Sequence, residues 1–167
     1  MRRLHRWLAN LLGSPFALRC RFPRAVLEEL TAAIAAGERD HLGEVRLVLE
    51  PRLPPFAVLT GLDARTRAQA LFARLGVWDT EHNTGVLIYV LLAERRIEIV
   101  ADRAIARAVA QQAWDAIAAR MGEAFAAHRW REGCLDGIAA VHALLARHFP
   151  AAGHDNPDEL PDRPVLL

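Results

Sequence analysis

The stretch His82-Asn83-Thr84-Gly85-Val86-Leu87-Ile88-Tyr89-Val90-Leu91-Leu92-Ala93-Glu94-Arg95-Arg96-Ile97-Glu98-Ile99-Val100-Ala101-Asp102 decides the fold. The apolar run from Val86 to Leu92 has the composition of a strand covered on both faces. Glu94-Arg95-Arg96 is a tight polar break, and the run after it alternates, as a hairpin partner does. A connection this short permits only an antiparallel pair. Directly afterwards the apolar period turns helical, so this is where sheet gives way to helix layer.

Upstream, Glu44–Glu50 alternates charged and apolar residues, placing Val45, Leu47 and Leu49 on one face of a half-buried strand. Pro51, Pro54 and Pro55 stop it. Asp63 is positioned as N-cap of a helix over 64–75, with Gly76 as its stop. A helix between the first and second strands implies a parallel, right-handed crossover. Pro23 opens an earlier helix to about Ala36, with Leu27, Leu30 and Ile34 on one face. Downstream, Ile105, Val109, Ala113 and Ile117 predict one helix from Arg103 to Arg120, and Glu123–His128 a short continuation. Trp130–Phe149 repeats the pattern through Cys134, Ile138, Val141 and Leu145.

The fold class expected is therefore α/β: a three-layer α/β/α sandwich with a small mixed sheet of about four strands and helices on both faces. Residues 1–22 read as a basic amphipathic arm, 23–150 as the domain and 151–167 as a Pro-rich extended tail. Pro157, Pro161 and Pro164 keep that tail from regular structure, and its apolar end from Val165 to Leu167 lies on the domain.

At 167 residues, 53% hydrophobic and 25% charged, the chain has the size and composition of a globular domain, and its net charge of +1 exerts no general pull on nucleic acid. The charge is unevenly spread: Arg2, Arg3, Arg6, Arg19, Arg21 and Arg24 all precede Glu28, the first acid, while 155–162 is acidic. Cys20 and Cys134 have no metal-ligand spacing and read as reduced, partly buried thiols. Arg2-Arg3 followed by Leu4, Trp7, Leu8, Leu11 and Leu12 imitates a signal peptide, but Asn10 interrupts the run and no small-residue cleavage site follows. The location expected is cytoplasmic, with residues 2–12 packed against their own domain, or peripheral to the inner membrane if they make a weak surface contact with Trp7 at the interface. Trp78, Trp114 and Trp130, with Phe72, Phe125 and Phe149, are expected in the core or packed on helices. They are not interleaved with arginines as stacking platforms for nucleic acid would be.

Two polar clusters carry the candidate chemistry. Antiparallel pairing brings the start of the second strand beside the end of the third, so Asn83 and Asp102 become neighbours at one rim. An amide and a carboxylate there suit a hard cation, and Glu38, from the turn Glu38-Arg39-Asp40-His41 leading to Glu44, is a third donor. The metal candidates are thus Asp102, Asn83 and Glu38, with calcium or magnesium as the ion. Each has a structural reading beside it: Asp102 as N-cap of the following helix, worth about 1 kcal/mol, and the 38–44 turn as solvated polar residues. His128, His142 and His148 sit on helical stretches without convergent partners and read as surface or boundary histidines. No nucleophile–base pair, Gly-rich phosphate loop, nucleophile elbow or zinc spacing is present, so no catalytic residue is assigned.

Taken in order, these segments resemble the TPM-domain family over roughly Pro23 to Phe149. The matching pieces are Glu38-Arg39-Asp40-His41-Leu42-Gly43-Glu44-Val45-Arg46, Phe72-Ala73-Arg74-Leu75-Gly76-Val77, Thr80-Glu81-His82-Asn83-Thr84-Gly85-Val86-Leu87, Ile97-Glu98-Ile99-Val100-Ala101-Asp102 and the helix holding Gly133, Gly137 and Ile138. The tail from Asn156 to Pro164 is similar to that of short bacterial members without signal peptide or membrane anchor. The resemblance implies a small α/β/α domain, and among its members are divalent-cation binders and a few acid phosphatases. This chain departs from the phosphatase-like members in two places. Ala17-Leu18-Arg19-Cys20-Arg21-Phe22-Pro23 replaces their acidic opening, and Asp102 stands where many have glycine. The function expected is a TPM-type accessory or binding module with no assigned reaction, acting with a membrane-associated partner. The alternative is a divalent-metal-dependent acid phosphatase.

Overall fold

The computed structural model describes residues 2–151 and 159–167, with side chains from Leu4 onward. Of the acidic tail, residues 155–158, including Pro157, lie outside the described residues, as does the start of the tail motif at Asn156. In chain order the elements are α1 (Arg2–Leu12), α2 (Pro15–Arg21), α3 (Arg24–Gly37), a single 3-10 turn (Glu38–Asp40), β1 (Glu44–Glu50), α4 (Pro55–Leu59), α5 (Ala64–Arg74), β2 (Gly85–Leu91), β3 (Arg96–Ala101), α6 (Arg103–Ala108), α7 (Gln111–Ala126), α8 (Trp130–His148) and β4 (Val165–Leu166).

The strands form one mixed sheet in the order β3-β2-β1-β4. β1 runs parallel to β2 along its whole length, Glu44 opposite Gly85 and Glu50 opposite Leu91. β3 returns antiparallel, so that Val86 faces Ala101. Arg95, with φ 49°, supplies the left-handed residue of the turn between them. On one face Val45, Leu47, Leu49, Val86, Ile88 and Val90 pack against α3, α7 and α8. On the other, Val48, Leu87, Tyr89 and Leu91 meet α4, α5 and Trp7 of α1. β2 is buried throughout, as its unbroken apolar run requires.

Several expectations are corrected. The tail supplies the fourth strand: Val165 and Leu166 pair parallel with Val48 and Leu49, and two residues are too few to show a period. Ser14-Pro15 ends α1 and also starts α2, because the Ser14 hydroxyl accepts the Phe16 N–H at 3.2 Å and Pro15 takes the first helical position. Pro55 likewise opens α4 where only a stop was read. The helix expected over 103–120 is two helices, broken where Val109 and Ala110 turn extended. The spacing of Ile105, Val109, Ala113 and Ile117 is the same on both sides of the break, so periodicity cannot reveal it. Trp78 is half exposed rather than in the core, its indole N–H donating to the Ala73 carbonyl at 3.2 Å. Cys20 is exposed, while burial pushes the Cys134 thiol up to about 12 and makes it inert.

Candidate functional site

Asn83 and Asp102 do meet, at the amino-terminal end of the parallel pair β1–β2. The Asp102 N–H donates to the Gly85 carbonyl at 2.9 Å, and the Ala104 N–H to the Asn83 carbonyl at 3.2 Å. Gly85 is required where the chain at Val77 packs on the start of β2, because a Cβ there would lie 1.8 Å from the Val77 carbonyl oxygen. Asn83 sits at φ 54°, a left-handed conformation that asparagine tolerates better than most residues.

The groups at this rim are closely tied. Asp102 is buried and caps α6: its Oδ1 accepts the Arg103 N–H at 2.6 Å. The Arg103 guanidinium donates from Nη2 to the Asn83 amide oxygen at 2.7 Å, and its Nε stands 3.8 Å from Asp102 Oδ1. A protein cation thus occupies the place between amide and carboxylate where a metal would sit. Asp102 Oδ2 is buried and has no hydrogen-bond partner among the described residues.

Glu38 is set apart from the other two. Successive N–H groups of a strand point to opposite neighbours. The Glu44 N–H donates to Thr84 beside β2, so the Val45 N–H, which donates to Glu38 Oε1 at 2.7 Å, faces the β4 side. Two strands lie between Glu38 and Asp102, three strand spacings or roughly 14 Å. What remains for a cation is the Asp102 carboxylate and the Asn83 amide oxygen, which suits a water-rich magnesium site better than calcium's coordination by about six to eight oxygens. Among the described residues, no group of three or more His, Cys, Asp or Glu side chains is arranged to hold a metal.

The turn around Glu38 is not the solvated cluster expected. Glu38, His41 and Glu44 are buried, and Arg39 and Asp40 are exposed. Burial, with Glu44 and Asp162 nearby, pushes the Glu38 carboxyl up to about 9 against the lowering effect of the Val45 N–H. Arg46 is half-buried beside the same acids, and burial lowers its pKa. His41 Nδ1 accepts the Gly43 N–H at 3.1 Å, so its proton resides on Nε2, which faces His142 Nδ1 at 2.7 Å. Burial lowers both imidazoles to about 4. His142, expected at the surface or its boundary, is buried under Gly37, where a Cβ would meet its ring at 2.2 Å. No sequence signal could have joined residues 41 and 142, which lie 101 positions apart. His128 and His148 are exposed.

The carboxyl end of the parallel pair, where open α/β sheets usually bind ligands, is roofed by α1. A cleft of ≈ 510 Å³ there includes Arg6, Asp63, Arg65, Glu94, Arg96 and Glu98 in its lining. Its charges pair with one another, Arg6 with Glu94 at 2.7 Å and Arg65 and Arg96 with Glu98 at 3.8 and 3.5 Å. Glu50 at the end of β1 is held by Arg67 at 2.8 and 2.9 Å and by the Tyr89 hydroxyl at 2.6 Å.

A small mixed sheet between helical layers, with a capped polar rim at the β2–β3 edge, defines the structural class. The TPM domain profile matches residues 22–144. With most of its length matched, the chain belongs to the TPM domain family. The BA42 protein of the psychrophilic bacterium Bizionia argentinensis, solved by NMR, is 28% identical, with a TM-score of 0.75 over 86% of this chain and 93% of that one. The N-terminal domain of a P. gingivalis protein shares the fold at 21% identity, with a TM-score of 0.61 over 75% of this chain and 79% of its own. Among curated proteins nothing matches the chain. No helix among the described residues is long and apolar enough to cross a membrane.

Proposed function

We propose that the protein is an accessory or binding module that acts with a membrane-associated partner and has no hydrolytic centre at its polar rim. The observation that carries this reading is the Arg103 guanidinium on the Asn83 amide oxygen, 2.7 Å away. Together with the Asp102 cap on α6, it commits the rim's polar groups to holding β2, β3 and α6 together rather than to a substrate. The test is turnover of p-nitrophenyl phosphate by metal-free protein, by protein with calcium or magnesium, and by Asp102→Ala. The expected result is no turnover above background in any of the three. Robust, metal-dependent turnover that disappears in Asp102→Ala overturns the reading.

One observation favours the alternative, a divalent-metal-dependent acid phosphatase. Asp102 Oδ2 is buried without a hydrogen-bond partner among the described residues, and an unpaired buried oxygen is a costly group that a cation would stabilise. In that reading Asp102 and Asn83 hold the ion, and Arg103 swings away from the rim when it binds. Glu38, beyond β1, supports the strand rather than the metal.

A further inference from the structure

α1 is attached to the domain by the side that would ordinarily face water. Arg6 donates from Nε and Nη2 to the two carboxylate oxygens of Glu94, at 2.7 and 3.1 Å, and from Nη2 to the Leu62 carbonyl at 2.8 Å. One turn on, buried Asn10 donates to Glu94 Oε1 at 2.7 Å and accepts the Leu53 N–H at 2.7 Å. Trp7, between them, packs on the core. This inward side leaves Leu4, Leu8, Leu11 and Leu12 pointing outward and exposed, Leu12 at 80%.

The outward leucines have apolar neighbours. Of the ten large apolar side chains exposed among the described residues, seven belong to α1, α2 and α4, including Phe16 at 74% and Phe56 at 83%. α1 packs directly on α4. Apolar side chains gathered this way on a surface mark a docking site rather than the ordinary scatter of exposed leucines. The charge around them selects the occupant. Residues 1–27 contain six arginines and no acid; Arg6 is paired inward with Glu94 and Arg24 with Glu28, while Arg19 on α2 is exposed. Arg52, exposed, reaches the Leu11 carbonyl at 3.5 Å beside the end of α1. Leucine and phenylalanine offered in a basic setting match the acyl boundary and headgroups of an anionic bilayer.

We propose that α1, with Phe16 and Phe56 beside it, docks the protein on an anionic phospholipid surface. The proposal deepens the accessory-module reading by naming the surface on which the membrane-associated partner is met. It rests on that reading only for the partner. Vesicle binding and phosphatase assays fail separately.

The experiment is co-sedimentation of the full chain with phosphatidylcholine vesicles and with vesicles carrying about one third phosphatidylglycerol. Binding is expected to rise several-fold with the anionic lipid and to fall with added salt. Leu8→Gln combined with Leu12→Gln should reduce it by at least about tenfold, and Arg52→Gln by about fivefold. These side chains are exposed, so the variants should keep the wild-type melting temperature. If the leucine pair does not, Phe16→Ser with Phe56→Ser, on other elements, makes the same test. Equal partitioning of wild type and both variant pairs, or equal binding to neutral vesicles, overturns the proposal. So does a dimer, seen by sedimentation equilibrium, that the leucine pair abolishes while no vesicle captures the wild type, because the face then belongs to a second copy of the chain.

Discussion

The Arg103 guanidinium donates to the Asn83 amide oxygen at 2.7 Å and so places a fixed positive charge at the rim where Asp102 is buried. A divalent ion entering that rim must displace it. Two charges about 4 Å apart interact by about 1 kcal/mol in water-like surroundings, a fivefold effect. Arg103→Ala is therefore expected to bind calcium or magnesium at least about fivefold more tightly than the wild type at this site. NMR titration following the amides of Asn83, Asp102 and Ala104 measures it. Equal affinities in the two proteins would place any bound ion away from the rim.

The buried pair His41–His142 makes stability depend on pH. Both imidazoles are lowered from 6.5 to about 4 in the folded chain, chiefly by burial, with Asp40 nearby opposing the shift. Between those values the unfolded chain takes up protons that the folded chain refuses, so stability is complete above about pH 6.5 and is lost as pH falls toward 4. The loss should be roughly 3 kcal/mol for each imidazole. Urea unfolding at a series of pH values checks it, and His142→Gln should flatten the slope in that window. An unchanged slope in the variant would assign the acid sensitivity to other groups.

The frame of the molecule was readable because it obeys local rules. Alternation in Glu44–Glu50 and the apolar run after Gly85 specify two strands. Asp63 caps α5 as its chemistry suggests, accepting the Thr66 N–H at 2.8 Å. The proximity of Asn83 and Asp102 also followed, since hairpin register fixes it. What escaped the sequence was non-local or inverted. His41 meets His142 only through packing of the 38–41 turn against α8, and Glu38 was separated from Asp102 by the direction in which the Val45 N–H points. The orientation of α1 was hidden because nothing local marks Arg6 and Asn10 as inward residues, whereas a buried carboxylate 84 or more positions away, Glu94, draws both of them in.

Glu38 should behave as a neutral acid. With its carboxyl pushed up to about 9 by burial, it holds its proton at neutral pH while accepting the Val45 N–H. Glu38→Gln keeps size, neutrality and the acceptor, so it should be at least as stable as the wild type near pH 6. Above pH 4.5 the unfolded chain releases this proton and the folded chain retains it until about 9, so the wild type loses stability through that range. The glutamine variant lacks this loss and should be the more stable protein at pH 8. Glu38→Ala strands the Val45 N–H and should cost about 1–3 kcal/mol. Thermal melts of the three proteins at pH 6 and 8 decide it. A glutamine variant that is destabilised equally at both values would mean that Glu38 is ionised in the fold.

Glu94 anchors α1, because Arg6 and Asn10 both converge on its carboxylate. The Glu94 side chain is 8% exposed and that of Arg6 27%, so the pair is sheltered on one side only. Its worth should therefore lie between that of a surface pair and a fully buried one. Glu94→Ala removes the acceptor for both residues and leaves Asn10, itself buried, without a partner for its amide nitrogen other than the Arg6 carbonyl at 2.8 Å. The expected cost is about 2 kcal/mol. The more specific expectation is local: amide hydrogen exchange should accelerate through α1 and at Leu53, whose N–H depends on Asn10, while β1 and β2 keep their protection. Glu94→Gln retains one acceptor oxygen and should give an intermediate result. Uniform acceleration across the sheet would mean that α1 is integral to the cooperative core, and the apolar face it turns outward would then be as rigid as the strands beneath it.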